Sequence, residues 1–181
     1  ANKYNVNRGI FCLSSCIFPQ NPSKYPMDEN MIHESEPHPS NEGYGYSKRM
    51  MEMQCRNYNK QFDRQYICVT PVNLYGPYDN FSLTDGHFIP AILRRFDKTK
   101  TIGNVYTSKY TAYGSGEPLR QFLFAPDFAF LITKILFEYN DNTPIICCND
   151  DEYTIKEVVH TICDMMQIEH RKLEWDTTKS D

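Results

Sequence analysis

A tyrosine and a lysine four residues apart form the clearest pair of chemically useful side chains in this sequence. Tyr44 and Lys48 stand near the start of a segment rich in helix-forming residues, and residues four apart share one face of a helix. An ammonium group beside a phenol favours the phenolate, so the phenol can exchange a proton nearer to neutral pH. A chain with 13 tyrosines is expected to hold such a pair by chance, so an ordinary pair on a helix surface remains an alternative.

Two predicted strand ends bring further polar groups to the same region. Residues 9–13 are apolar and run into Ser14 and Ser15, and residues 66–72 form a second such run with Pro71 near its end. Both runs predict buried parallel strands. The carboxyl ends of parallel strands meet at one edge of a sheet, where α/β proteins build their sites. We therefore expect Ser14 to lie close to the tyrosine–lysine pair.

Strands and helices alternate along the rest of the chain, which is typical of an α/β protein with a parallel sheet. Residues 101–120 are predicted to be irregular. The other predicted elements are helices at 43–62 and 86–97, a strand at 121–124, a helix from its cap Asp127 to 139, a strand at 144–149, and a helix to 166 opened by the capping box of Thr154 and Glu157.

Composition and charge exclude several classes of protein. Of the 181 residues, 40% are hydrophobic and 14% aromatic, which is enough for a core and for one domain or little more. The net charge of −4 argues against a general nucleic-acid binder, and no apolar run reaches the roughly 18 residues that a membrane span needs. Seven cysteines without a C-x-x-C pair indicate a reducing compartment and no zinc site. We expect a cytoplasmic protein that binds no metal, membrane or nucleic acid.

One element common in dinucleotide-binding sheets does not occur in the sequence. It contains no G-x-G-x-x-G or G-x-x-G-x-x-G string, and its eight glycines are scattered. Such a turn brings backbone amides and a helix N-terminus to a pyrophosphate. Because the sequence also starts without methionine, we expect a piece of a longer protein, without its N-terminal half and C-terminal tail and inactive by itself.

Six strings, in this order, carry a resemblance to a known family. They lie at residues 14–19 (SSCIFP), 41–48 (NEGYGYSK), 71–81 (PVNLYGPYDNF), 86–95 (GHFIPAILRR), 114–120 (GSGEPLR) and 176–181 (DTTKSD). Together they resemble the extended short-chain dehydrogenases/reductases over essentially the whole chain, most closely those that act on a GDP-linked 4-keto-6-deoxy sugar. The resemblance implies the C-terminal part of a Rossmann-type doubly wound parallel sheet, with a smaller α/β substrate-binding domain. It also implies an enzyme that epimerises GDP-4-keto-6-deoxy-D-mannose at C3 and C5 and reduces C4 with NADPH to give GDP-L-fucose.

The same resemblance implies catalytic roles. Ser14 and Tyr44 would hydrogen-bond the C4 oxygen, and Lys48 would hold the cofactor ribose and tune the tyrosine. Inverting a carbon beside a ketone needs one group that removes a proton and another that returns one on the opposite face. Cys16 and His87 match the family's two proton-transfer groups, since thiols and imidazoles titrate near neutral pH. Outside this pattern, each of them would more often be a structural residue.

The binding residues are also implied by the resemblance. The cofactor-binding positions are Lys48, Pro71, Val72, Asn73, Leu74 and His87. The substrate-binding positions are Arg95, Tyr113, Arg120 and Asp181. A guanidinium group suits a diphosphate because its planar fork donates two hydrogen bonds at once. Tyr113 stands where the family usually has tryptophan.

The implied organisation has two parts and a dimer contact. Residues 1–77 would form the later half of an NADP-binding domain with the Ser-Tyr-Lys site. Residues 78–120 and 141–181 would bind the GDP-sugar, and residues 121–140 would return to the first domain as a strand and a helix. A homodimer is implied, with the methionine-striped helix Tyr44–Phe62 as a dimer face, although packing on the sheet would also explain the stripe.

Two alternatives remain open. Another extended short-chain dehydrogenase acting on a nucleotide sugar, such as a 4-epimerase or a 4,6-dehydratase, would share the fold. Cys16 and His87 argue against it, because a 4-epimerase needs no proton-transfer pair at the neighbouring carbons, and dehydratases usually have Thr-Asp-Glu after the equivalent strand. The second alternative is a truncated, non-catalytic binding module, against which stands the joint presence of Ser14, Cys16, Tyr44, Lys48 and His87.

Overall fold

Strands alternate with helices in the computed structural model, which describes residues 1–102 and 108–179. Short 3-10 turns connect several of the elements. The predicted α/β fold class is confirmed. In chain order the elements are β1 (Arg8–Cys12), α1 (Glu42–Phe62), β2 (Gln65–Pro71), β3 (Asn73–Tyr75), α2 (Phe88–Ile102), β4 (Tyr110–Tyr113), β5 (Leu119–Arg120), β6 (Phe122–Phe124), α3 (Ala125–Glu138), β7 (Ile145–Cys147), β8 (Tyr153–Thr154), α4 (Ile155–Met165) and β9 (Leu173–Asp176).

The chain divides into two compact units. The first unit comprises Ala1–Leu74 and Leu123–Asn149, and the second comprises Tyr75–Phe122 and Asp150–Asp181. Strand β7 lies in the first unit, although its position in the sequence predicts that it belongs to the sugar-binding part. The reason is that β7 pairs with β2 in the parallel sheet.

The first unit is built on a three-stranded parallel sheet with the order β1-β2-β7. Arg8 pairs with Gln65 at one end of the β1–β2 ladder, and Val69 pairs with Ile145 at the start of the β2–β7 ladder. The central strand β2 is buried from residue 66 to residue 70. A central parallel strand is covered on both faces, which explains why this stretch reads as a continuous apolar run.

Helices α1 and α3 cover opposite faces of this sheet. Successive side chains of a strand point to opposite faces. Tyr66 and Cys68 of β2 accordingly share a core cluster with Cys55 of α1, and Ile67 and Val69 share another with residues of α3. The sheet is therefore the middle layer, as expected for a doubly wound fold.

Two helices begin as the sequence predicts. α1 runs from Glu42 to Phe62, and its C-cap residue Asp63 has a left-handed φ of 52°. The capping box of α4 is confirmed, because Thr154 accepts from the amide of Glu157 and Glu157 accepts from the amide of Thr154.

Two local predictions are wrong. Phe124, not Asp127, is the N-cap residue of α3, and Asp127 lies in the first turn. A proline at the start of this helix needs no amide partner there, so the helix begins earlier than predicted. The stretch predicted as irregular contains β4 and β5. Their partners β9 and β8 come from far along the chain and leave no local signal.

The second unit has its own core. Strands β4 and β9 pair in parallel, with Tyr110 opposite Leu173, and β5 pairs with β8 in antiparallel fashion. Phe96 of α2 is fully buried against this core. Gly116 has a φ of 76°, and a Cβ added there would lie 2.7 Å from the ring of Trp175. Space and backbone conformation both require glycine at this position.

Candidate active site

The carboxyl end of β1 leads directly into a short turn that holds two candidate catalytic residues. The amide of Leu13 donates to the carbonyl of Val69 at 2.7 Å, which extends the ladder past the strand end. Ser14 then caps a one-turn 3-10 helix, Ser15–Ile17, and its Oγ accepts from the amide of Cys16 at 3.3 Å. The thiol of Cys16 belongs to a half-buried residue. Ser14 and Cys16 are therefore fixed by backbone geometry at the edge of the parallel sheet.

The start of α1 brings the tyrosine–lysine pair to the same strand end. Tyr44 lies in the first turn of α1 and is 50% exposed. Lys48 lies one turn later, with Nζ 5.7 Å from the centre of the Tyr44 ring. The same Nζ donates to the carbonyl of Cys12 at 2.9 Å. The ammonium group thus connects the tyrosine face of α1 to the end of β1.

A close approach at Gly45 seats the helix on the turn. A Cβ added to Gly45 would lie 2.7 Å from the carbonyl oxygen of Cys16 and 3.0 Å from Cβ of Pro37. Real Cβ atoms do not approach a backbone oxygen so closely. Glycine in a helix costs about 1 kcal/mol relative to alanine, so its presence here is explained by the need for this contact.

Replacing Gly45 with alanine is therefore expected to lower the free energy of unfolding by about 1–3 kcal/mol, the usual cost of overpacking. The matched control is Gly43→Ala in the same helix turn, since nothing lies within 4 Å of a Cβ added at Gly43. That change should be neutral or stabilising by up to about 1 kcal/mol. Urea unfolding of the protein at its natural length measures both. Equal effects of the two substitutions would contradict this packing.

The predicted cofactor positions after β2 lie at the same edge of the sheet. Pro71 ends β2, and the amide of Val72 donates to the carbonyl of Cys147 at 3.2 Å. Asn73 is exposed in β3, whereas Leu74 packs in the core cluster on the α3 face of the sheet. Residues 73–75 form a short strand that pairs with β6.

The residues of the first unit fit one half of a dinucleotide cofactor. The ammonium of Lys48 has three N–H donors, and its described hydrogen bond uses one of them. The other two suit the hydroxyls of a ribose. The Lys48 ammonium therefore fits the ribose on the nicotinamide side of such a cofactor.

The remaining predicted site residues belong to the second unit. His87 is exposed, and its carbonyl accepts from the amide of Ala91 at 2.9 Å, so it stands at the start of α2. Arg95 is half-buried, with its guanidinium carbon 3.9 Å from the centre of the Tyr113 ring.

Each of the two predicted arginines also donates a hydrogen bond to a backbone carbonyl. Nη1 of Arg95 donates to the carbonyl of Thr111 at 3.4 Å. Arg120 is exposed on β5, and its Nη1 donates to the carbonyl of Leu119 at 2.8 Å. The predicted Asp181 lies outside the described residues.

Sequence reasoning missed two residues that build this region. Gly45 gave a usable signal, because glycine in the interior of a predicted helix is unfavourable unless packing requires it. Arg49 gave none. It follows Lys48 in a charged stretch that reads as a helix surface, yet it is buried. Only the tertiary structure reveals its contacts.

The other buried thiols of the first unit are suited to packing. Burial raises the pKa of Cys147 to about 11, so it stays a neutral thiol. A hydrogen bond with Cys55 and burial both raise the pKa of Cys68. Within the described part of the chain, no three His, Cys, Asp or Glu side chains are grouped so that they could hold a metal ion. No helix in that part has both the length and the apolar character needed to cross a membrane.

Comparison with known sequences finds a family and several relatives. The profile of the NAD dependent epimerase/dehydratase family matches residues 1–147. The GDP-L-fucose synthase of Dictyostelium discoideum is 40% identical over 181 residues, which are 99% of this chain and 55% of that protein. The GDP-L-fucose synthase of Escherichia coli (strain K12) is 41% identical over 129 residues, which are 71% of this chain and 39% of that protein. The chain spans about half the length of the curated relatives it matches.

Comparison with solved structures agrees with this result. A crystal structure of a GDP-L-fucose synthetase from Naegleria fowleri bound to NADP matches with a TM-score of 0.90. The two sequences are 35% identical, and the match covers 99% of this chain and 56% of that one. The described residues thus have the fold of the corresponding part of a Rossmann-type nucleotide-sugar enzyme.

Proposed function

The chain belongs to the NAD dependent epimerase/dehydratase family, and on that premise we propose that it carries most of the site of an NADPH-dependent GDP-L-fucose synthase. Such an enzyme epimerises GDP-4-keto-6-deoxy-D-mannose at C3 and C5 and reduces C4 to give GDP-L-fucose. Because the relatives are longer than this chain, the proposal concerns the protein at its natural length.

The observation that carries the proposal is the connection of α1 to the end of β1. Lys48 donates to the carbonyl of Cys12, and the chain continues from there into the turn with Ser14 and Cys16. Tyr44 lies one helical turn before Lys48 and shares its face. A tyrosine–lysine pair without a role beyond the helix surface would not need a hydrogen bond from the lysine to the end of a strand. Relatives named GDP-L-fucose synthase, at 40% identity, support the same reading.

The proposed chemistry follows from the ketone at C4 of the sugar. A ketone makes the protons at C3 and C5 acidic, because the electron pair left behind is delocalised onto the C4 oxygen as an enolate. Ser14 and Tyr44 donate hydrogen bonds to that oxygen and stabilise its charge. Cys16 and His87 remove and return the protons, each acting on its own face of the sugar. Tyr44 then gives its proton to the C4 oxygen in the reduction.

Lys48 is the residue that we propose for the nicotinamide ribose of NADPH. Its anchor on the Cys12 carbonyl orients the ammonium group and leaves two N–H donors for ribose hydroxyls. Pro71, Val72 and Asn73 follow the central strand to the same edge of the sheet and would flank the nicotinamide, with Leu74 as their anchor in the core. Bound NADPH supplies the hydride that reduces C4. We also propose that His87 lies near the cofactor.

Arg95, Tyr113 and Arg120 are the residues that we propose for the GDP part of the substrate. The centre of the Tyr113 ring lies 3.9 Å from the guanidinium carbon of Arg95. Cation–π stacking therefore fixes the plane of the guanidinium group before a diphosphate binds. This supports tyrosine as a working substitute for tryptophan at position 113. Arg120 is exposed and available for a second charge-assisted contact. Asp181 is proposed as a substrate residue from the sequence resemblance alone.

We also propose that the protein is a cytoplasmic homodimer. All seven cysteines are free thiols, as a reducing compartment would keep them. Helix α1 carries a stripe of apolar and aromatic side chains that are 40–53% exposed, and such a stripe supports a contact with a second copy. These side chains include Tyr46, Met50 and Met53.

Product analysis tests the proposed function. The protein at its natural length is incubated with GDP-4-keto-6-deoxy-D-mannose and NADPH, and the products are separated and identified by NMR. We expect GDP-L-fucose, with one NADPH oxidised for each sugar. A GDP-6-deoxyhexose that keeps the D configuration would show reduction without epimerisation and would overturn the roles of Cys16 and His87.

A further inference from the structure

We infer that Arg49 is a positioning residue that locks the Cys16 turn, residues 12–17, onto the start of α1. The inference deepens the proposed function and rests on it, because that function gives this turn two catalytic side chains. Arg49 follows Lys48 in α1, so the two adjacent residues can reach different parts of the same turn.

The contact that carries this inference is a buried hydrogen bond. Arg49 is 6% exposed, and its Nε donates to the carbonyl of Ile17 at 2.7 Å. Ile17 is the last residue of the one-turn 3-10 helix and is fully buried. Carbonyls at the end of a helical turn lack partners within the turn. The Arg49 side chain supplies a partner from α1.

Lys48 and Arg49 together hold both ends of the Cys16 turn. Lys48 donates to the carbonyl of Cys12, where β1 ends, and Arg49 donates to the carbonyl of Ile17, where the turn ends. Between these two points Gly45 is in close approach to the carbonyl of Cys16. Gly45, Lys48 and Arg49 of α1 thus fix this six-residue segment. They also fix the position of the Cys16 thiol relative to the helix face that carries Tyr44.

Burying the Arg49 guanidinium group costs free energy of folding. No described ion pair includes Arg49, and its Nη2 is buried without a hydrogen-bond partner among the described residues. Burial lowers the pKa of Arg49, as expected for a desolvated cation. Its other described neighbour is the ring of Tyr46, whose centre is 5.6 Å from the guanidinium carbon. An apolar side chain would pack here without this penalty, so the donor to Ile17 is the feature that distinguishes arginine.

Kinetics of Arg49→Met and Arg49→Lys in the protein at its natural length test the inference. Methionine keeps the stem without the donor, and we expect the rate of deuterium exchange at C3 and C5 of the sugar to fall by roughly 10–100-fold, as for a small misplacement of a catalytic group. The KM for NADPH should stay unchanged. Lysine carries its ammonium one bond beyond the position of Nε, reaches the same carbonyl and should restore most of the rate. The matched control is Arg56→Met, because Arg56 lies in α1 with an exposed side chain.

A second readout does not depend on activity. Alkylation of Cys16 by iodoacetamide, followed by mass spectrometry of the peptide, should be several-fold faster in Arg49→Met than in the wild type and the Arg56→Met control. Unchanged exchange and alkylation rates in Arg49→Met would overturn the inference, and so would losses that merely follow the unfolded fraction measured in urea. If the wild type exchanges no deuterium, the proposed function fails, and the alkylation rates alone decide whether Arg49 holds the turn.

Discussion

Replacing Tyr44 with phenylalanine is expected to lower the rate of NADPH oxidation by roughly 10³-fold, the usual contribution of a positioned general acid. The ring stays in the first turn of α1, and the Lys48 anchor on the Cys12 carbonyl is unaffected. The KM for NADPH should therefore stay unchanged. Deuterium exchange at C3 and C5 should fall less than the reduction does, because Ser14 still donates to the C4 oxygen. Stopped-flow measurement of NADPH absorbance and NMR of the sugar give the two rates.

Tyr46→Phe is the matched control for this prediction. Tyr46 lies two residues away in the same helix and is 42% exposed, close to the 50% of Tyr44. It does not share the Lys48 face, since residues two apart do not face each other on a helix. Its loss of a hydroxyl should leave the reduction rate within about twofold of wild type, well below the effect of losing a general acid. Similar losses in the two variants would show that the phenol of Tyr44 has no special role.

Replacing Cys16 with serine is expected to slow the inversion of both C3 and C5 of the sugar, because each inversion needs one proton-transfer group on each face. A serine hydroxyl keeps the size and the capped turn, but it is a far weaker acid than a thiol, so its deprotonated form is not populated near neutral pH. We expect both rates of inversion to fall by about 10²–10⁴-fold. NMR with GDP-4-keto-6-deoxy-D-mannose in deuterated buffer resolves C3 from C5 and measures each rate.

Cys148→Ser serves as the control for the thiol. Cys148 also belongs to the first unit, and it is more exposed than Cys16. Its replacement should leave both exchange rates at the wild-type level. If Cys16→Ser also inverts both carbons at wild-type rates, Cys16 is not a proton-transfer group.

The layers of the first unit could be predicted from local patterns. Strand β2 reads as a strand because a central parallel strand is apolar on both faces, and α1 reads as a helix over nearly its full length. The capping box at Thr154 marks the start of α4 because both of its hydrogen bonds are local. Most features that depend on neighbours in sequence, though not the N-cap of α3, were therefore accessible from the sequence alone.

Features that depend on distant partners could not be predicted from the sequence. Strands β4 and β9 stabilise each other across about sixty residues of chain, and neither has a strong pattern of its own. Arg49 looks like a surface residue until the Cys16 turn packs on it. The anchor of Lys48 is a backbone carbonyl, which every residue possesses and which no side-chain motif can reveal. The sequence predicts which residue types meet at the site, and the tertiary structure shows what holds them.

The most direct test of the proposed chemistry is deuterium exchange into the substrate without NADPH. The protein at its natural length is mixed with GDP-4-keto-6-deoxy-D-mannose in deuterated buffer, and NMR follows C3 and C5. We expect deuterium to enter at both carbons, because Cys16 and His87 remove protons before any reduction takes place. No exchange at either carbon, in a protein that still binds NADPH, would contradict the proposal and leave a reductase without epimerase activity or an enzyme with another sugar substrate.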